Sequence, residues 1–217
     1  MRLENRGRGK QPLFFCEVSK LKLPVTEKEL ESNYETIMPE IDRLSLERVN
    51  KIWSSWPEFL SIAGSWECLR KIHVELFGGL FVFAGEIRKV NISKNSFRFA
   101  NSLFLEKILP IISEMPQKNF RAIIDKYAEM NIAHPFREGN GRAMRLWLDA
   151  ILEREMNTRI DWRKITRDEY MSAMQRSPVN TLELETLLNG AMLKPENLHD
   201  KVIFTSGLAV SYSYEKI

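Results

Sequence analysis

The sequence predicts a mainly helical, all-α fold with one short β-hairpin, and three observations carry that expectation. Apolar residues recur at helical spacing along most of the chain, two capping boxes mark helix starts, and a single stretch alternates apolar with polar residues around a turn. With 217 residues, 44% of them hydrophobic, the chain can bury one sizeable core, so one compact domain with an extension is expected. A formal net charge of +3 spread over 28% charged residues implies neither strong nucleic-acid steering nor an acidic tail.

The elements follow in chain order. The first ten residues are locally basic through Arg2, Arg6, Arg8 and Lys10 and read as a disordered tail. Thr26 followed by Glu29 makes a capping box, so a helix is expected to start there. From 44 to 56, Leu46, Val49, Trp53 and Trp56 keep helical spacing. After "FGGLFVFAGEIR" the rhythm changes. Val90 and Ile92 alternate with polar residues, "SKNS" offers a turn, and Phe97 and Phe99 alternate again, which is a short hairpin. Two strands alone are marginal in water. Either the phenylalanines plug the helical core, or the hairpin is a flap that borrows an extended peptide as its third strand.

From 118 to 133, Phe120, Ile123, Ile124 and Tyr127 mark another helix. Pro135 disfavours helical geometry at His134, so that helix should end there and leave "HPFREGNGR" as a connecting loop. Met144, Trp147, Leu148 and Ile151 repeat at i, i+3, i+4 and i+7 and form the buried stripe of the next helix, beginning near Arg142. Arg142, Arg145 and Asp149 fall together on another face. Thr166 followed by Glu169 makes the second capping box, and Leu184, Leu187, Leu188 and Ala191 continue the helical pattern.

Cys16 and Cys68 lie far apart with no CxxC or Cys/His ligand spacing, so neither a disulfide framework nor a zinc site is indicated, and a reducing compartment is the simplest reading. No signal-peptide pattern and no run approaching a membrane span is present, so a soluble, cytoplasmic protein is expected, with no nucleic-acid and no membrane partner.

The loop before Arg142 carries the chemistry. Gly139 and Gly141 flank Asn140 and give a backbone able to take positive φ and aim several N–H groups at one point. Such a nest, joined to the free amides and positive dipole end of a helix, is an anion site. Two arginines at that end oppose the dipole by roughly 0.3–1 kcal/mol each if exposed. The arrangement makes sense when negative charge arrives, and several phosphates in a row would satisfy the donors. Glu138 beside an anion is explained by a hard divalent cation, since Mg²⁺ takes one or two carboxylates plus phosphate oxygens. His134, with an ordinary pKa of about 6.5, can accept a proton at neutral pH. Taken singly, a histidine before proline, a GNG turn and helical arginines are commonplace; their conjunction at fixed spacing is not.

The run His134-Pro135-Phe136-Arg137-Glu138-Gly139-Asn140-Gly141-Arg142-Ala143-Met144-Arg145 resembles, at every specified position, the HxFx[DE]GNGRxxR signature of Fic domains. The likeness extends from about residue 64 to the C-terminus, including "GGLFVFAGEIR", the hairpin and "RSPVNTLEL". It implies the Fic fold, a helical bundle with a hairpin flap, and transfer of AMP from ATP to a protein hydroxyl with Mg²⁺ as cofactor. In those terms His134 resembles the catalytic base, Glu138 the metal carboxylate, Gly139, Asn140 and Gly141 the anion nest, and Arg142 and Arg145 the phosphate clamps. Phe136 resembles the inward anchor of the loop. Lys94 falls near the tip of a target-docking flap, and Tyr170 with Met171 where an adenine pocket is closed. The expected division is residues 1–60 as an extension packed in part on the core and 61–217 as the Fic domain, with a C-terminal inhibitory helix at about 206–217.

That last element rests on Ser211-x-x-x-Glu215, which resembles the [ST]xxxE[GN] motif of autoinhibited Fic proteins. There a glutamate pairs with the second arginine and obstructs the γ-phosphate. Lys216 departs from the motif, which prefers glycine or asparagine. The hydroxyls of Tyr212, Ser213 and Tyr214 are candidates for modification once the segment is released. Competing readings keep the fold with other chemistry, such as a Doc-like kinase, removal of AMP, phosphocholine transfer or another nucleotide, or make the chain a non-catalytic nucleotide-gated binding module. The target protein is not named by the sequence, and assembly as a homo-oligomer stays open.

Overall fold

Helix α8 (Asn140–Met156) is buried on every side from Arg142 to Leu152 in the computed structural model, which describes residues 21–94 and 97–215 with the side chain of Glu215 excepted. The basic tail, Cys16, the hairpin tip and Lys216 lie outside the described residues. A helix with polar as well as apolar faces buried needs neighbours all round. They are α5 (Trp66–Phe77), α7 (Phe120–Ala133) and α4 (Trp56–Ser61), and the stripe Met144, Trp147, Leu148 and Ile151 sits in their common core as the spacing predicts.

Both capping boxes form, at Thr26 ahead of α1 (Glu27–Ser32) and at Thr166 ahead of α9 (Arg167–Arg176). The helical stretch read over 44–56 is instead three pieces, α2 (Tyr34–Glu47), α3 (Val49–Ser54) and α4, broken at Arg48 and Ser55. Pro57 supplies no amide hydrogen and restricts the residue before it, which suits a helix start better than a helix interior. Leu30, Ile37, Ile41, Val49 and Ile52 join the same hydrophobic core as α5 and α8. After α6 (Leu105–Ser113) and α7, the chain runs through α8, α9 and α10 (Leu182–Gly190) to α11 (Lys201–Tyr212).

Helix α11 begins earlier than the motif indicated, because the Asp200 carboxylate caps the amides of Val202 and Ile203 at 2.7 and 3.2 Å. It gives way to a 3₁₀ turn at Ser213–Glu215, so the i, i+4 relation expected of Ser211 and Glu215 is not carried by one continuous α-helix. Phe204 anchors it, its ring 5.0 Å from Trp53 and 5.1 Å from Trp56, with the Arg159 guanidinium 4.9 Å from the same ring. No helix of the described residues is long and apolar enough to cross a membrane.

The hairpin is shorter than the alternation implied. Strand β1 (Ser93–Lys94) pairs antiparallel with β2 (Phe97–Arg98), Ser93 opposite Arg98 and Lys94 opposite Phe97, and the Phe99 amide donates to the Ile92 carbonyl at 3.3 Å. Its phenylalanines do not plug the helical core. Phe97 packs edge-on against Phe99 with centroids 5.1 Å apart, and Phe99 stacks on His134.

A buried histidine supports the signature loop from below. His73 is fully buried on α5, with its ring 3.8 Å from that of Phe136, and its Nδ1 accepts the Gly85 amide at 3.0 Å. The ring proton therefore sits on Nε2, which donates to the Glu138 carbonyl at 2.9 Å. Burial pushes its pKa from 6.5 down to about 3, opposed by the Glu138 hydrogen bond and assisted by Arg142. Below pH ~6.5 the unfolded chain takes up a proton that the folded chain refuses, and the stability present above that pH falls by about 1.4 kcal/mol per pH unit until the ring protonates. Asp149 acts in the opposite sense, because burial raises its carboxyl to about 7 and its contribution is lost as pH rises. His73→Gln should thus lower stability at pH 7 yet shrink the further loss between pH 7 and 5. Urea midpoints at the two pH values check this, and an unchanged difference would remove His73 from the acid response.

Candidate active site

Helix α7 stops at Ala133, and His134 takes the left-handed conformation, φ 47°, while its amide closes the last turn on the Met130 carbonyl at 3.0 Å. A non-glycine residue held there is uncommon and needs its surroundings to hold it. Arg88 does so. Its buried guanidinium donates to the carbonyls of His134 (2.8 Å), Ala133 (3.2 Å), Val90 (2.6 Å) and Ala100 (2.6 Å), tying the end of α7 to both roots of the hairpin. The His134 Nδ1 lies 3.2 Å from the Asn131 carbonyl, which can only accept, so Nδ1 carries the proton and Nε2 of the neutral ring is the acceptor. Phe99 stacks on the imidazole at 3.8 Å between centroids.

The loop between His134 and α8 is built on inward-facing side chains. Phe136 has no exposure and lies against Trp66 and His73. The Asn140 side chain faces the loop itself, which leaves the nest reading to its backbone. Its amide accepts from the Phe136 N–H and donates to the Phe136 carbonyl, both at 2.8 Å, and so closes the loop on itself. Gly139 has φ 81°, and a Cβ there would fall 2.5 Å from the Phe77 ring, so both backbone and packing require glycine. Gly141 instead lies inside the first turn of α8 and contributes a helix-start amide without positive φ.

The two arginines are both buried, about 1% exposed, and they take different partners. Arg142 turns toward α2, where Asp42 takes its Nη1 and Glu138 its Nη2 (2.9 Å), with Phe77 at 5.0 Å and Tyr212 at 5.6 Å from the guanidinium carbon. Arg145 lies against the stacked pair Tyr170 (5.7 Å) and Tyr214 (5.4 Å) and donates to the Ser211 carbonyl at 2.9 Å. Asp149, placed with them by spacing, accepts from the Ile160 amide and the Trp162 indole, each at 3.0 Å.

Glu138 is the one signature carboxylate. Its Oε1 accepts from the Gly139 amide (2.8 Å) and Arg142, and its Oε2 from the Tyr34 hydroxyl (3.2 Å). Among the described residues no group of three or more His, Cys, Asp or Glu could hold a metal ion alone. Cys68 is buried, with its thiol pushed up to about 12, and offers no nucleophile.

A cavity of about 240 Å³ gathers six of the expected site residues, Lys94, His134, Gly141, Arg145, Tyr170 and Met171, with Phe97 and Phe99 beside the histidine. Glu138 and Arg142 stand outside that lining. A larger cavity of about 640 Å³ lies between α2 and α11, lined by Tyr34, Met38, Asp42 and Tyr212 among others, and lacks the histidine. The smaller one is the candidate site, because His134, the helix-start Gly141 and the signature arginine Arg145 share its lining.

The C-terminal segment lies against this site. Ser211 is buried and bonds its hydroxyl back to the Leu208 carbonyl at 2.8 Å, leaving its carbonyl to Arg145. Tyr214 stacks on Tyr170 at 5.3 Å and donates its hydroxyl to the carbonyls of Trp162 (2.9 Å) and Ile165 (2.6 Å). Tyr212 and Tyr214 are thus buried in this conformation, while Ser213 is exposed. Sequence reasoning missed Asp42, Tyr34, Arg88 and His73. Their partners lie 100, 104, 46 and 65 residues away, beyond any local pattern.

Comparison with known proteins agrees with this geometry. The Fic/DOC family model matches residues 65–152, which hold α5, the hairpin and the signature loop. The protein adenylyltransferase VbhT of Bartonella schoenbuchensis is 30% identical over 186 residues, covering 77% of this chain and 38% of that protein. A protein of Escherichia coli named "Probable protein adenylyltransferase Fic" is 26% identical over 125 residues, covering 52% of this chain and 62% of its own. The chain therefore spans less than two thirds of the length of either relative. Among solved structures, the Fic domain of a Bartonella quintana cell filamentation protein with bound ADP superposes with a TM-score of 0.61 at 20% identity, over 85% of this chain and 96% of that one. BepC of Bartonella tribocorum with bound AMPPNP gives 0.60 at 16%, over 82% and 95%. The signature loop, the helices that carry it and these likenesses together place the chain in the Fic/DOC family.

Proposed function

We propose that the chain is a protein adenylyltransferase that moves AMP from ATP to a serine, threonine or tyrosine hydroxyl of a target protein. The observation that carries the reading is the shared cavity, whose lining brings together His134, the helix-start Gly141 and Arg145. Relatives named as adenylyltransferases, and related folds solved with ADP and AMPPNP, support a nucleotide there.

The cavity allows an ordered chemistry. His134 Nε2 takes the proton of the target hydroxyl, whose oxygen forms the new bond to the α-phosphorus. The bond from that phosphorus to the bridging oxygen breaks, and pyrophosphate leaves with the electron pair. Such transfers depend mostly on positioning and charge neutralisation. Arg145 and the α8 amides supply donors for the phosphates. Tyr170 and Met171 wall the cavity where a base would lie, and Lys94 reaches it from the hairpin.

Glu138 fits Mg²⁺ in part. It is a hard oxygen donor with a side chain 20% exposed, and with no cluster of three such ligands among the described residues a bound ion would complete its shell from phosphate oxygens and water. The ion would neutralise phosphate charge. The hairpin, two-stranded among the described residues, offers its edge for an extended target segment. The C-terminal segment restrains the reaction by holding Arg145 through the Ser211 carbonyl and Tyr214, with Glu215 the acid meant for the same arginine.

Incubation with ATP labelled on the α-phosphate should label protein, and label on the γ-phosphate should not; the reverse result would make the enzyme a kinase. His134→Ala should lower the transfer by about 10²–10⁴-fold while nucleotide still raises the melting temperature. Glu215→Gly should raise transfer and nucleotide affinity together, and no change in either would end the case for a C-terminal restraint.

A further inference from the structure

The helices ahead of the matched segment touch the signature loop at three of its residues. Arg137 pairs with Glu31 of α1 at 2.6 Å and with Glu27 at 3.7 Å. Glu138 receives the Tyr34 hydroxyl at the start of α2. Arg142 is bonded by Asp42, one turn from the end of the same helix. The Arg142 side chain has no exposure, whereas the carboxylates of Asp42 and Glu138 keep about a fifth of theirs (19% and 20%).

These contacts set up a competition at Glu138. Its Oε1 serves Arg142 and the Gly139 amide, and the same carboxylate is the donor available to a divalent ion. A buried guanidinium deprived of its acid is strongly disfavoured. Without a second acid, Arg142 would therefore keep Glu138 for itself and oppose metal binding. Asp42 removes that conflict, since it holds Nη1 while Glu138 holds Nη2. Each terminal nitrogen carries two N–H groups, so bonding one carboxylate through each does not exhaust the fork.

We infer that Asp42 is a positioning residue of this site, which keeps Arg142 paired and fixed so that Glu138 can turn to the metal of a bound Mg²⁺-nucleotide. Tyr34 guides the same carboxylate from the opposite oxygen. The inference rests on the adenylyltransferase reading for the identity of the ligand, and it assigns α2 a function in the reaction rather than in folding alone.

The test titrates Mg²⁺ against the binding of a fluorescent ATP analogue to the full chain. Asp42→Asn keeps the shape and removes the charge. It should raise the Mg²⁺ concentration needed for half-maximal binding by about tenfold, the low end of the effect typical when a group orienting a metal ligand is lost. Asp42→Glu, which restores a carboxylate, should recover most of that shift. A merely structural residue would lower the melting temperature of Asp42→Asn and leave the Mg²⁺ requirement where it was, read well below that temperature. That result overturns the inference, as does tighter binding at an unchanged requirement, which would make Asp42 a competitor of the phosphates. If the unaltered chain binds the analogue and transfers no AMP, the proposed activity fails while the Mg²⁺ comparison still decides the role of Asp42.

Discussion

A guanidinium taken out of water has to be met by acceptors, and the structure depends on how that demand is answered twice at the start of α8. Arg142 and Arg145 are each about 1% exposed and lie three residues apart on one helix. An uncompensated charge at such depth is among the costliest features a fold can carry. The chain meets the first with carboxylates from α2 and from the loop, and the second with a carbonyl and two tyrosine rings, one of them from the C-terminal segment. Both ends of the described chain are thereby drawn onto one helix, and the site forms where they meet.

The same economy appears at the histidine. A left-handed His134 directly ahead of Pro135 turns the chain out of α7, and Arg88 bonds four carbonyls around that turn. Those carbonyls belong to the helix end and to both hairpin roots, so one guanidinium ties the hairpin to the turn that carries the imidazole. Phe99 adds a direct contact from the hairpin to the ring. The hairpin and the His134 ring are thus joined through two independent contacts. From below, Phe136 and His73 fix the loop through an aromatic stack and one hydrogen bond to the backbone of Glu138.

Much of this was legible in the sequence where the cause is local. Helix starts at Thr26 and Thr166 follow from capping chemistry, the end of α7 from Pro135, and the buried stripe of α8 from a 3.6-residue period. Gly139 was readable as a left-handed residue, though the packing of Phe77 against it was not. The rest divides by distance. The break of the 44–56 helix has a local cause at Pro57 and the Asn140 amide closes on Phe136 four residues before it, whereas the Asp42 partner of Arg142 lies 100 residues away. Asp42 and Tyr34 carry no pattern that separates them from other residues of an exposed-looking amphipathic helix, and only the fold brings them to the loop.

The arginines also explain why the usual helix-dipole rule fails at this place. Cations in the first turns of a helix oppose its dipole, and a sequence built for stability alone would set acids there. Moving the acids off α8 and onto α2 and the loop changes what the helix start can do. An aspartate in the first turn of α8 would neutralise the amides it caps, whereas Asp42 and Glu138 satisfy Arg142 from the side and leave the amide end of the helix facing the cavity through Gly141. Glu138 does two jobs, since its Oε1 accepts the Gly139 amide at the helix start as well as Arg142, while Asp42 meets the same buried charge from α2. It follows that the segment ahead of the matched family region belongs to the electrostatics of the site, and that a chain cut back to residues 65–152 would retain every signature residue while leaving Arg142 without its Asp42 partner.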